Sequence, residues 1–212
     1  MEQEPLLCCP PVLAPPVLVL LLLTIVLVDA PLPHRYPSTT VSTGIRKMDT
    51  AFPSRIYLLR HARSAWAQPG ERDFDRPLDD EGFAEAEVVA ERAADLRHLP
   101  VRIVSSTALR CRQTAEAVRR ALDYDLEVFF ADELYNASCD VYLEMIASTP
   151  DAQSLMFVGH NPTIGEVLER LAGNERAAAA IPAGYPTAGL AVLDRPQDPN
   201  GRHWNLVDFL TA

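Results

Sequence analysis

The stretch YLLRHARSAW, Tyr57 to Trp66, runs apolar and then turns abruptly into Arg60-His61-Ala62-Arg63. Cations on both sides of an imidazole repel its protonated form, so the arrangement is costly unless an anion sits there. A second histidine, His160, closes another apolar run, SLMFVGH, and is followed by Asn161-Pro162. A third run, VRIVSS, passes through Ser105-Ser106 and on to Arg110. The chemistry that wants two imidazoles and several guanidiniums is phosphoryl transfer. A phosphoryl group in flight spreads negative charge over its equatorial oxygens, and catalysis is mostly positioning and charge stabilisation. Arginine suits this because its planar fork binds phosphate oxygens bidentately and keeps its charge. A neutral imidazole is a competent nucleophile toward phosphorus, and water then hydrolyses the phosphohistidine. The flanking arginines lower the histidine pKa and keep it unprotonated before substrate arrives. A second imidazole, protonated when phosphate is bound, donates a further hydrogen bond to the oxyanion. This chemistry needs no metal or other cofactor, and the sequence offers no acidic metal cage.

These residues meet only if the runs that carry them are neighbouring strands. The periodicities support this. RIYLLR (55–60), VRIVSS (101–106), LEVFF (126–130) and SLMFVGH (154–160) read as strands, and the first is buried on both faces. Helical spacing fills the intervals at 79–99, 107–122, 139–149 and 163–173, with Asp79 or Asp80 placed to cap the first and Gly173 to end the last. TAGLAVLD (187–194) and HWNLVDFL (203–210) are late strands joined by a DPNGR turn. Strands alternating with helices predict a layered α/β sheet, largely parallel. In such sheets ligands gather at the carboxyl ends of strands, where Arg60-His61, Ser105-Ser106 and His160 fall.

Composition bounds the rest. A chain of 212 residues holds one domain with a sizeable core and some chain left over. The net charge of −10 argues against a nucleic-acid partner, and any anionic ligand must be held by a local cationic pocket against that field. Cys8, Cys9, Cys111 and Cys139 show no zinc spacing, and two cysteines in the folded part read as reduced core thiols. Residues 1–54 form a low-complexity apolar and Pro-rich extension and linker, and residues 55–212 the folded domain. The apolar run Val17–Val28 is shorter than the about 20 residues needed to span a bilayer, and its acidic start, MEQEP, does not suit a signal peptide. It reads as a disordered or spurious extension, as a signal or anchor, or as a structured element. The first reading makes the protein cytoplasmic; the second makes it exported or membrane-anchored.

YLLRHARSAW, DFDRPLDDEG, VSSTALRCRQTAEAV, LYNAS, LMFVGHNPTIGEVLERL and PTAGLAVLD, in that order, resemble the histidine phosphatase superfamily, and within it the SixA-type phosphohistidine phosphatases. The likeness covers residues 55–212. It implies a phosphoglycerate mutase-like fold, a three-layer α/β sandwich with a mainly parallel sheet flanked by helices. It implies His61 as nucleophile, Arg60 and Arg110 on the phosphate and His160 as the second histidine. Ala62 stands where the family usually has Gly, which bears on how near the backbone comes to the phosphate. Arg63 is a third phosphate contact or a solvated charge, and Ser64 a candidate hydrogen-bond donor to phosphate. Arg112 is surface. Arg76 and Pro77 lie in a structural turn or a substrate-rim loop, PTAGL (186–190) is near the pocket, and Trp66 and Trp204 are core or rim.

Cleavage of a phosphoester in this superfamily uses a carboxylic acid to protonate the leaving oxygen. Glu133, in ADELY, is the candidate, with Asp132 behind it; both also read as solvated loop acids. SixA-type members often lack a clear acid here, and an imidazole leaves more easily than an alkoxide. The larger members carry long insertions over the pocket, for which residues 55–212 leave little room. The expected activity is metal-independent hydrolysis of phosphohistidine on proteins, or of small phosphorylated compounds, through phospho-His61. A phospho-ligand binding module with little turnover, a broad phosphoester phosphatase and a mutase are the alternatives.

Overall fold

A computed structural model describes residues 53–149, 152–198 and 201–212. The readings of residues 1–52, including Cys8 and Cys9, lie outside these residues, as does part of the DPNGR turn. The elements are β1 (Arg55–Arg60), α1 (Asp80–Asp95), β2 (Arg102–Ser106), α2 (Leu109–Ala121), β3 (Glu127–Ala131), α3 (Cys139–Ala147), β4 (Ser154–Gly159), α4 (Thr163–Ala172), α5 (Asn174–Ala180), β5 (Leu190–Asp194) and β6 (Asn205–Leu210). Short 3-10 turns occupy Asp73–Asp75 and Asp132–Leu134.

The strands form one sheet in the order β3-β2-β4-β1-β5-β6. β3, β2, β4 and β1 are mutually parallel, while β5 runs antiparallel to both β1 and β6. Side-chain alternation along each central strand builds two cores. Tyr57 and Leu59 of β1, Met156 and Val158 of β4, and Leu190 and Val192 of β5 face one way, against α1 and α2. Ile56, Leu58, Leu155, Phe157, Ala191 and Leu193 face the other, against α3, α4 and α5. Central strands that serve both cores must be apolar between their ends, as RIYLLR and SLMFVG are. The result is a three-layer α/β sandwich. No helix among the described residues is long and apolar enough to cross a membrane.

Two elements depart from the sequence reading. α1 stops at Asp95 rather than near Leu99. The amides of Arg97 and His98 return to the carbonyls of Ala94 and Ala93, with Arg97 at φ 61°. That Schellman closure normally takes glycine, so an arginine there gives no sequence signal. α5 follows directly on Gly173, at φ 91°, and was read as no element at all.

Candidate active site

The strand order places β2, β4 and β1 side by side, so their carboxyl ends share one edge of the sheet. Arg60 pairs with Gly159, and Ser105 with Val158. The next residues of β1 and β4, His61 and His160, therefore project from the same rim, with ring centroids 5.2 Å apart.

His61 is fixed by its neighbour. Nδ1 lies 2.8 Å from the carbonyl oxygen of Ala62, which only accepts, so Nδ1 carries the proton and Nε2 keeps its lone pair. Ala62 is itself fully buried, with its methyl in the α1/α2 core and its N–H donating to Thr114 Oγ1 (3.1 Å). A glycine is not needed here, because the methyl points into the core. Burial lowers the His61 pKa to about 3; the Ala62 hydrogen bond opposes this, and the charges of His160, Arg110 and Arg60 add to it. The sequence reading credited the flanking arginines, but desolvation is the larger cause.

Arg110 reaches the same point from the first turn of α2 and is buried. Its Nη2 lies 3.3 Å from Nδ1 of His160. A guanidinium only donates, so this Nδ1 is the acceptor, and Nε2–H of His160 donates to Ser106 Oγ (2.9 Å). Burial and the Arg110 charge hold His160 at about 4. The buried Cys111 sulfur packs 3.5 Å from His160 Nε2, and burial raises its thiol to about 12. Arg60 donates from Nη1 to the Tyr185 carbonyl (2.6 Å), and its buried Nε has no hydrogen-bond partner among the described residues. The Tyr185 hydroxyl donates to the Leu58 carbonyl (2.6 Å), tying this support to β1.

The structure thus brings His61, His160, Arg60 and Arg110 together. Arg63 is exposed and ion-paired to Asp79 (2.8 Å) and Glu81. Ser64 accepts a hydrogen bond from Arg76 (2.8 Å). Glu133 and Asp132 are exposed on the second 3-10 turn, just before Tyr135, whose ring meets His160 edge-on at 5.7 Å. Residues the sequence reading does not place in the site are Asp73 and Tyr135; Ser106 falls at the strand edge as expected, and Arg76 lies in the turn. Asp73 binds Arg110 and Arg76 at once. Its signal was the DFDR spacing, which puts Asp73 and Arg76 on one side of a tight turn.

A cavity of about 430 Å³ adjoins His160, lined by Asn136, Ser138, Asn161, Thr163 and Glu166 among others. A larger one, about 600 Å³, lies against α4 and α5 with Arg170, Arg176 and His203, away from these groups. Chemistry rather than volume locates the site. Among the described residues, no cluster of three His, Cys, Asp or Glu side chains is arranged to hold a metal ion.

The family model of the histidine phosphatase superfamily (branch 1) matches residues 56–145. An uncharacterized chloroplastic protein of Arabidopsis thaliana is 36% identical over 147 residues, 65% of this chain and 67% of its own. A protein assigned as phosphohistidine phosphatase SixA from Agrobacterium tumefaciens is 53% identical in the aligned region. The match covers 75% of this chain and 98% of that one, with a TM-score of 0.70. A second chain so assigned, from Nakamurella multipartitia, is 30% identical over 74% of this chain and 94% of its own, with a TM-score of 0.57. With its phosphoglycerate mutase-like sheet, the chain belongs to the histidine phosphatase superfamily, among its SixA-type members, and is a phosphatase.

Proposed function

We propose that the protein hydrolyses phosphohistidine on proteins, without a metal, through a covalent phosphohistidine on His61, and that residues 55–212 are its catalytic domain. The observation that carries this is the hydrogen bond from His61 Nδ1 to the Ala62 carbonyl beside three cationic or donor groups. It leaves Nε2 as the free nucleophile and stabilises the positive charge that the ring acquires when Nε2 bonds to phosphorus. Arg60 and Arg110 hold the equatorial oxygens. His160 donates from Nδ1 once the anion has raised its pKa. The substrate class follows from the weakness of the acid site. Glu133 is exposed, with no hydrogen bond or ion pair to either histidine among the described residues, and a leaving imidazole needs less protonation than an alkoxide.

The test is transfer of labelled phosphate from a phosphohistidine protein, in the presence of a chelator. Wild-type protein acquires acid-labile label on His61 and releases orthophosphate. His61→Ala does neither, and unchanged release by that variant sinks the reading. Glu133→Gln keeps its phosphohistidine rate; a fall confined to phosphoesters identifies Glu133 as the acid for oxygen leaving groups.

A further inference from the structure

Among the described residues Asp73 is the acid paired with Arg110, and no step above uses it. Its carboxylate Oδ2 lies 3.0 Å from Arg110 Nη2 and 3.2 Å from the Tyr135 hydroxyl; Oδ1 lies 2.7 Å from Arg76 Nη1. Its backbone carbonyl takes Nη1 of Arg110 at 2.7 Å. Even so, the Asp73 side chain is 51% exposed, which leaves its carboxylate accessible to a ligand. Around it stands a row of rings. Phe74 meets Tyr135 at 5.0 Å, Tyr135 meets His160 at 5.7 Å, and His160 meets His61 at 5.2 Å, each edge to face.

One guanidinium nitrogen separates this carboxylate from the anion site, since Arg110 Nη2 touches both Asp73 and His160 Nδ1. A carboxylate so close repels the oxygens of any phosphate and weakens binding of the bare anion. That cost is offset only by a ligand that brings a positive N–H to the same place.

We propose that Asp73 selects a nitrogen-linked leaving group, its carboxylate accepting a hydrogen bond from the protonated distal ring nitrogen of a phosphoimidazole. This rests on the phosphatase reading above and names what that site discriminates. The His61 Nε2 lone pair forms the new P–N bond as the substrate P–N bond breaks, and the departing electron pair stays on the leaving nitrogen. The leaving ring entered as an imidazolium, so it departs as neutral imidazole with its distal N–H on Asp73. His61 acquires the positive charge in turn, with Nδ1–H on the Ala62 carbonyl. Water then displaces His61, giving dihydrogen phosphate and the neutral imidazole. An oxygen leaving group needs a proton instead, which Asp73 does not supply. Partial burial pushes its carboxyl up, but Arg76, the Arg110 charge and Tyr135 pull it further down, below the usual carboxylate range.

The experiment compares kcat/KM on a phosphohistidine peptide and on p-nitrophenyl phosphate, with orthophosphate inhibition measured alongside. Asp73→Asn lowers the peptide value by roughly 10- to 100-fold, the loss of one hydrogen bond to a charged group. The ratio of the peptide value to the p-nitrophenyl phosphate value falls by that factor without weaker orthophosphate inhibition, and Asp73→Glu restores part of the preference. Equal loss on both substrates with weaker orthophosphate inhibition makes Asp73 only a clamp on Arg110 and overturns the proposal, as does an unchanged ratio. His61→Ala run in parallel separates the two readings: turnover by that variant defeats the phosphatase mechanism itself, whatever Asp73 does.

Discussion

His160 sets the pH dependence of anion binding. In the free protein, burial and the Arg110 guanidinium keep its imidazole at about 4, so it is neutral at pH 7. An oxyanion between Arg110 and Nδ1 favours the protonated ring and raises that pKa. A group whose pKa rises on binding makes binding tighter as the pH falls from its bound to its free value. Sulfate tests this cleanly because it does not titrate in the range. Its affinity should strengthen from pH 8 downward, by up to about tenfold per unit where the two pKa values bracket the pH, and level off near the free value. Calorimetry in buffers of different ionisation enthalpy should show proton uptake that His160→Gln abolishes. A flat profile in the wild type means that Nδ1 does not carry the oxyanion contact. At this scale the sequence was informative about identity and silent about partners. His61, His160, Arg60 and Arg110 were legible because each ends or follows an apolar run. Arg63 was ambiguous because nothing local shows that Asp79 and Glu81 would capture it. The pairing of Asp73 with Arg110 was invisible because it spans 37 residues of chain.

The elements position these groups through close backbone approaches more than through side-chain packing. Gly82 opens α1 against the exit of β1, where a Cβ would lie 1.8 Å from the Arg63 carbonyl oxygen. Gly159, the last residue of β4, lies under Tyr142 of α3, and a Cβ there would lie 2.1 Å from the Tyr142 hydroxyl oxygen. Gly159→Ala must therefore move either a fully buried tyrosine or the strand end that carries His160. A cost of about 1–3 kcal/mol is the scale of such overpacking. The variant should melt lower and lose activity, and adding Tyr142→Phe, which removes the nearest atom, should recover part of both. If Gly159→Ala matches wild type in melting temperature and turnover, the strand end is not held by that contact. The central strands were readable because unbroken apolar runs are what a sheet covered on both faces requires. The end of α1 and the whole of α5 were not, since an arginine closes the first and NERAAAA carries no apolar stripe to distinguish a helix from a linker.

The whole molecule sets a field against the reaction that its pocket performs. The chain carries a net charge of −10, while the substrate's phosphoryl group is itself anionic. Among the described residues Arg60 and Arg110 set positive charge beside the two histidines, and Asp73 offsets part of it. For the proposed phosphohistidine substrate, long-range approach is therefore governed by the surrounding peptide rather than by the phosphoryl group, because the field of the surface extends about one screening length. Two peptides with the same phosphohistidine, one basic and one acidic, should differ in kcat/KM at low salt, with the basic one faster. Their rates should converge as ionic strength rises from ~0.01 M to ~0.15 M, where the Debye length shrinks from ~30 Å to ~8 Å. The acidic peptide should speed up over that range and the basic one slow down, with kcat unchanged for both. An acidic peptide that reacts faster at low salt would place the local arginine cluster, and not the net charge, in control of encounter.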